Sequence, residues 1–341
     1  MAHGPTGLKR LISPGSDESG AVVIVLALML TMMLGFAGLA IDTGNLMLVR
    51  NELQNAADAA ALAGTAGFFP EGHTSKIPDW SSAEAAALAG VQLNKAGGVT
   101  LSDADIETGY WNLSQSEAGL QGQGITPGSE DVPALKVRIS RSAGSNGGPV
   151  STFFGAFLGK GSLDVSAEAT AVLVSPGSVE AGMLFPVAVS KAQADQYWGI
   201  PGVSFRICSV YDPKHCEEEA AGQWTSFQVD ANNVPTIRDL IANGNPTPVA
   251  VGDQIWIQPG TEASLYDHVT PGRDVLMAVV EYIDTHAYVP VVGFVPLHIE
   301  SVNKTGKCKY IQAHFINDFP PVDGNPAGPK YGAWIPPRLV R

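Results

Sequence analysis

The sequence predicts an α+β protein hung on one helix: a long N-terminal transmembrane helix that continues into an extracytoplasmic α+β layer, then a β-rich, sandwich-like domain. Three observations carry this reading. Residues 20–41 hold no charged side chain and a single hydroxyl, Thr31. The apolar and small-residue pattern then runs on to Phe69 without a proline, and beyond residue 120 proline and glycine punctuate short alternating segments.

An apolar run of this length crosses a hydrocarbon core of ~30 Å as a helix, and in lipid a single segment must satisfy its own backbone, which leaves helix as the only conformation. Past the span, the residues Leu46, Leu48, Val49, Leu53, Ala56, Ala57, Ala60 and Leu62 recur with Asp42, Asn45, Glu52, Asn55 and Asp58 interleaved. That is helical periodicity with a polar stripe, so one helix is expected over 20–69, its second half outside the membrane. Gly35, Gly38, Ala40, Gly44, Ala56, Ala60 and Gly64 form a candidate face for a partner helix, because small side chains let backbones approach closely. The competing explanation is that alanine is the best helix former. Lys9 and Arg10 precede the span and Arg50 is the only basic residue in the twenty after it, which places the N-terminus in the cytoplasm and the bulk outside. A signal peptide cut near Gly38-Leu39-Ala40 is the rival. The run is longer than a signal core and the helix pattern passes through that site, so an anchor is expected.

Residues 1–19 are rich in Gly, Pro and Ser and are expected to form a cytoplasmic tail. PEGHTSKIPDW at 70–80 breaks the long helix, and Ser81 or Ser82 can cap a second one, with Glu84 in its first turn and Gly97-Gly98 as its stop. Strands follow at 104–113 and 134–142, the second alternating Leu135, Val137 and Ile139 against Lys136, Arg138 and Ser140. VSTFFGAFLGKG (150–161) reads as a short apolar helix and 162–175 as a third strand, so 70–175 forms an α+β module. PGSVE (176–180) links to a β-rich region over 176–320, six short strand-like segments with one helix at 234–243, expected as an antiparallel sandwich or barrel-like sheet. A proline-rich tail, 321–341, ends the sequence.

The net charge of −13 excludes nucleic acid as a partner, since phosphate binding needs a basic footprint. Three cysteines occur, Cys208, Cys216 and Cys308. In an oxidising compartment one disulfide and one left-over thiol are expected, with the pairing open. GKGS at 159–162 misses the phosphate-loop spacing, since Gly155 is one residue too close and Gly161 stands where Ser or Thr is required. His298-x-Glu300 has no HExxH companion, GVSFR is not a GxSxG elbow, and Cys216 to Glu219 reads as a solvated acidic loop. No catalytic set, cofactor site or metal site is expected, and no small-molecule substrate; the chain reads as a non-enzyme.

The stretch GAVVIVLALMLTMMLGFAGLAIDTGNLMLVRNELQNAADAAALAGT resembles the N-terminal signature of the TadG-like proteins of the Tad (Flp) pilus-assembly system. ALKVRISRS, STFFGAFLG and LDVSAEATAVL are similar to the module that commonly follows it, so the likeness covers roughly the first half. The resemblance implies a bitopic protein of the bacterial inner membrane with a periplasmic body. It would be a non-enzymatic partner of other pilus-assembly proteins, and accessory to a type IV-related pilus used for adherence. A minor fibre subunit of pseudopilin type, released by a prepilin peptidase, is the alternative. Such subunits are cut after a glycine and carry Glu at the fifth mature position, whereas a cut after Gly20 would put Val25 there. The Asp-x-Ser-x-Ser loop of the von Willebrand A domain in some longer TadG-like proteins is missing, so no metal-dependent adhesion site is expected.

Overall fold

Helix α1 spans Glu18–Ala66, 49 residues without a break, or about 74 Å at 1.5 Å per residue. The computed structural model describes residues 18–73, 75–200, 203–208, 222–259, 263–305, 309–326, 328 and 330–340. The expected tail at 1–19 and the acidic loop at 216–219 lie outside them but for the backbone of Glu18 and Ser19. The first half of α1 exposes apolar side chains on all sides. The second half buries one stripe, Val49, Leu53, Ala56, Ala57, Ala60 and Ala61, each at most 1% exposed.

That stripe is covered by helix α2, Trp80–Gln92, and by a sheet. Asp79, not Ser81 or Ser82, caps α2: its carboxylate accepts from the Ser82 N–H at 3.0 Å and from both serine hydroxyls at 2.7 Å. These bonds hold the Asp79 carboxyl down at about 2. Starting the helix at Trp80 also lets its ring meet Phe68 and Tyr110 edge-on, at 5.4 and 5.3 Å. The helix ends at Gln92, short of Gly97-Gly98. Those glycines turn a tight hairpin between Lys95–Ala96 and Val99–Thr100, with φ of 58° and 75°, the doubly left-handed geometry that glycine tolerates best.

The first sheet comprises β1 (Asp105–Asn112), β2 (Leu120–Gly122), β3 (Asp131–Arg141), β4 (Val165–Val172) and β12 (Arg338–Val340), in the order β12-β4-β3-β1-β2, antiparallel throughout. Leu135, Val137 and Ile139 of β3 and Ala167, Ala169 and Ala171 of β4 point at α1. The expected apolar helix at 150–161 is instead a two-stranded turn, Val150–Ser151 with Ser162–Leu163, closed by one 3-10 turn over Gly155–Leu158. Glycines at 155, 159 and 161 leave no run long enough to sustain an α-helix.

The larger sheet is built from β5 (Leu184–Ser190), β6 (Phe205–Cys208), β7 (Gly222–Phe227), β8 (Gln254–Ile257), β9 (Arg273–Val280), β10 (Ala287–Asn303) and β11 (Tyr310–Phe315). Of the two expected forms, sandwich and barrel-like sheet, it takes the second, because β9 pairs with β10 as well as with β5 and closes β5, β7, β8, β10 and β9 into a ring; it departs from an antiparallel pattern where β5 and β9 run parallel. The 17 residues of β10 make closure possible, because its start pairs with β8, its middle with β9 and its end with β11. Phe185, Trp224, Phe227, Ile255 and Phe294 belong to the core of this ring. Helix α3, Lys191–Tyr197, continues β5 directly. Helix α4, Val234–Asn243, falls at the expected position and buries Ile237, Leu240 and Ile241. Asn245, 1% exposed, joins the entry of β5 to the loop after α4: its Oδ1 accepts from the Met183 and Leu184 N–H groups and its Nδ2 donates to the carbonyls of Glu180 and Thr247.

The proline-rich segment after β11 folds back over the 176–180 linker to add β12 to the first sheet. Trp334 stacks on Phe69 at 4.7 Å.

Two predictions follow from the helix seam. Gly90 of α2 lies directly on Ala60, with room for a Cβ only 3.0 Å from its Cα, so Ala60→Leu overpacks the seam and should lower stability by ~1–3 kcal/mol in denaturant titration of the detergent-solubilised chain. The Asp79 carboxyl is lowered in the folded state, so its contribution is full above the ordinary value of 3.8 and is lost as pH falls to about 2. Asp79→Ala should therefore melt below the wild type at neutral pH, with the gap closing toward pH 2.

Candidate functional site

Asp42 is the first charged residue after the apolar run, and it is 7% exposed. What buries it is the loop between β3 and β4. The N–H groups of Phe153, Phe154 and Gly155 donate to its two carboxylate oxygens at 2.8, 2.9 and 2.8 Å. Hydrogen bonds to an ionised acceptor are the strong kind, and three of them fix the loop against the helix across more than a hundred residues of sequence. The Thr152 hydroxyl donates to the Lys160 carbonyl and closes the loop on itself.

One turn before Asp42, the Phe154 ring lies over Gly38 so closely that a Cβ added there would fall 1.9 Å from it. Only glycine admits this approach. Phe154 is half-buried, whereas Phe153, Phe157 and Leu158 project outward at 71%, 83% and 78% exposure. The cradle of backbone N–H groups near GKGS thus holds an anion, but that anion is the chain's own Asp42, not a phosphate. Lys160 is exposed beside it.

The small residues of the candidate helix face divide into three groups. Ala56, Ala60 and Gly64 are buried within this chain, Gly64 between Ala87 of α2 and Leu135 of β3. Gly38 is covered by Phe154, and Gly35, Ala40 and Gly44 are exposed, with open space around both glycines. Cys208 is buried on β6, while Cys216 and Cys308 lie outside the described residues.

His298 and Glu300, two residues apart on β10, each find a partner on another strand. The His298 Nδ1 is 2.6 Å from Asp274 on β9, and the His314 Nδ1 is 2.7 Å from Glu300. The two imidazoles lie 5.2 Å apart across β10 and β11. Burial raises the Glu300 carboxyl, but hydrogen bonds from Ser204, His314 and Gln312 outweigh it and hold the group below the ordinary carboxylate range. The cluster sits part-exposed on a sheet face and pairs two by two.

The clamp at Asp42 went unforeseen because the sequence showed only one member of a polar stripe. A carboxylate at the end of an apolar span, with an FFG triplet far downstream, was the available signal. Asp42→Ala removes the acceptor for three N–H groups, and Gly38→Val drives out the Phe154 ring. Either change should make residues 152–161 cleave faster in limited proteolysis of the detergent-solubilised chain while the rest of the digestion pattern is kept.

Two family models match the chain. One, described as Flp pilus-assembly TadE/G-like, covers residues 20–67, which is α1 almost end to end. The other, described as Tad-like Flp pilus-assembly, covers residues 49–171, from the buried stripe of α1 to the end of β4. No curated protein and no solved structure matches the chain. The matched stretch is the unit just described, helix, seam, sheet and Asp42 clamp: over residues 20–171 the chain is similar to the Tad-like, TadE/G-like proteins of Flp pilus assembly.

Proposed function

We propose that the chain is a membrane-anchored, non-enzymatic scaffold of a Tad pilus machine, acting in pilus biogenesis and adherence. Its span crosses the bacterial inner membrane once, with the N-terminus in the cytoplasm and the body in the periplasm, where it binds other pilus-assembly proteins. The observation that carries this reading is the continuity of α1. The same unbroken helix supplies a span of exposed apolar residues and, from Val49 onward, the buried spine of the body. Such a helix holds a folded body at a set distance from the bilayer, which suits a scaffold. The groups that come together chemically, Asp274, His298, Glu300 and His314, are engaged with one another on a sheet face, in keeping with a binding role rather than catalysis.

Exposed Gly35, Ala40 and Gly44 favour a second reading, a pseudopilin-like minor fibre subunit, because small residues on an unpartnered apolar helix suit packing in a fibre. Intact-mass analysis of the chain recovered from membranes separates the two. A scaffold keeps the residues ahead of Gly20, whereas a product beginning at Ala21 would replace the anchor reading with the fibre reading.

A further inference from the structure

The loop at 150–163 carries apolar side chains that the body leaves uncovered. Phe157 and Leu158, at 83% and 78%, are more exposed than every large apolar residue of the span, and Phe153, at 71%, than every one save Phe36 at 73%. Yet the loop is no loose excursion: three N–H groups on Asp42 and the Phe154 ring on Gly38 hold it against the last turns of the span. The body therefore places an apolar tip at the level where α1 leaves the bilayer.

The exposed apolar surface of α1 reaches past that level. Val22 at one end and Leu48 at the other are 62% and 57% exposed, with Ile41 and Met47 each at 62% between them. Those 27 residues, counting 22 through 48, extend about 40 Å, more than the hydrocarbon core of ~30 Å and enough to reach into the headgroup zone. Asp42 falls inside this band. An ionised carboxylate facing lipid there is costly, and the loop removes the cost by wrapping it in backbone donors while turning apolar side chains outward. Lys160, exposed on the same loop, has the long stem that lets an ammonium rise to phosphate headgroups.

We propose that this loop is a second membrane contact, with Phe153, Phe157 and Leu158 inserted into the phospholipid interface beside the span and Lys160 at headgroup level. One helix leaves a body free to swivel about its axis. A second contact off that axis fixes the body's rotation and tilt. The proposal rests on the reading of α1 as a membrane span.

Photo-crosslinking of the full chain in phosphatidylethanolamine–phosphatidylglycerol vesicles tests it. A benzophenone amino acid is placed at position 157, at Leu26 in the span, or at Ile77, which is 62% exposed just beyond the far end of α1. Lipid adducts at 26 and 157 but not at 77 are expected, and Asp42→Ala should reduce the adduct at 157 alone. Adducts at 26 with none at 157, or with 157 joined to protein, overturn the second contact and leave the span standing. No adduct at 26 overturns the span itself, and equal labelling at 157 and 77 overturns the loop's preference for lipid.

Discussion

One backbone has to satisfy two solvents. In α1 the hydrogen bonds close within the helix everywhere, which suits hydrocarbon, so the side chains alone decide where lipid stops and protein core begins. The change falls between Asp42 and Val49. Before it, valine, leucine and methionine face outward on every side; after it, bulk withdraws to one stripe that narrows to alanine at 56, 57, 60 and 61. A Cβ added at Gly90 would fall 3.0 Å from the Cα of Ala60. The close approach of α2 and the sheet thus depends on that run of small side chains, and the rest of the first core depends on the approach.

Asp42 marks the same transition electrostatically. Left bare at the end of an apolar run, its charge would pull the helix toward water and loosen the junction. Buried under three N–H donors, it becomes the point at which the sheet is fastened to the span. The helix then meets the body at two places, the alanine stripe above and the carboxylate below. Two fastenings set the direction of a rod relative to a sheet, where one would set only its distance.

The elements that were legible in the sequence are those written in local periodicity. The 3.6-residue repeat gave α1, and the alternation of Leu135, Val137 and Ile139 gave the buried face of β3. Helix α4 falls at the expected 234–243, and the structure shows Asn233 capping its start and Gly244 following Asn243 at its end. Whatever depends on a distant partner was hidden. Asp79 outranks Ser81 and Ser82 as the cap because the aromatic pair around Trp80 needs that residue inside the helix. The loop at 150–161 has an apolar run that reads as a helix, but its glycines interrupt that run and Asp42 holds it in place. Asn245 and Asn146 are single asparagines in loops, yet each satisfies four backbone groups once buried, Asn146 joining Ser102 and Asp103 to Ser140. A barrel-like sheet was one of the two expected forms of this region, but the parallel pairing of β5 with β9 and the single long strand that joins three others left no repeat to count.

The first sheet is a wall shared by two cores, and it joins a ring outside the matched stretch to the helix. Leu135, Val137 and Ala171 face α1, whereas Val132, Ala134, Val172 and Val174 belong to the larger core that includes the ring. Strands with apolar residues on both faces cannot shed either layer without exposing the other. The C-terminal segment adds a second tie: Ile335 donates to the Val174 carbonyl, Trp334 stacks on Phe69 at the end of α1, and β12 completes the sheet beside β4. The ring is therefore joined to α1 by two routes, the sheet and the returning segment. Neither passes through a flexible linker, because the one linker in the sequence, 176–180, is itself clasped by the returning segment.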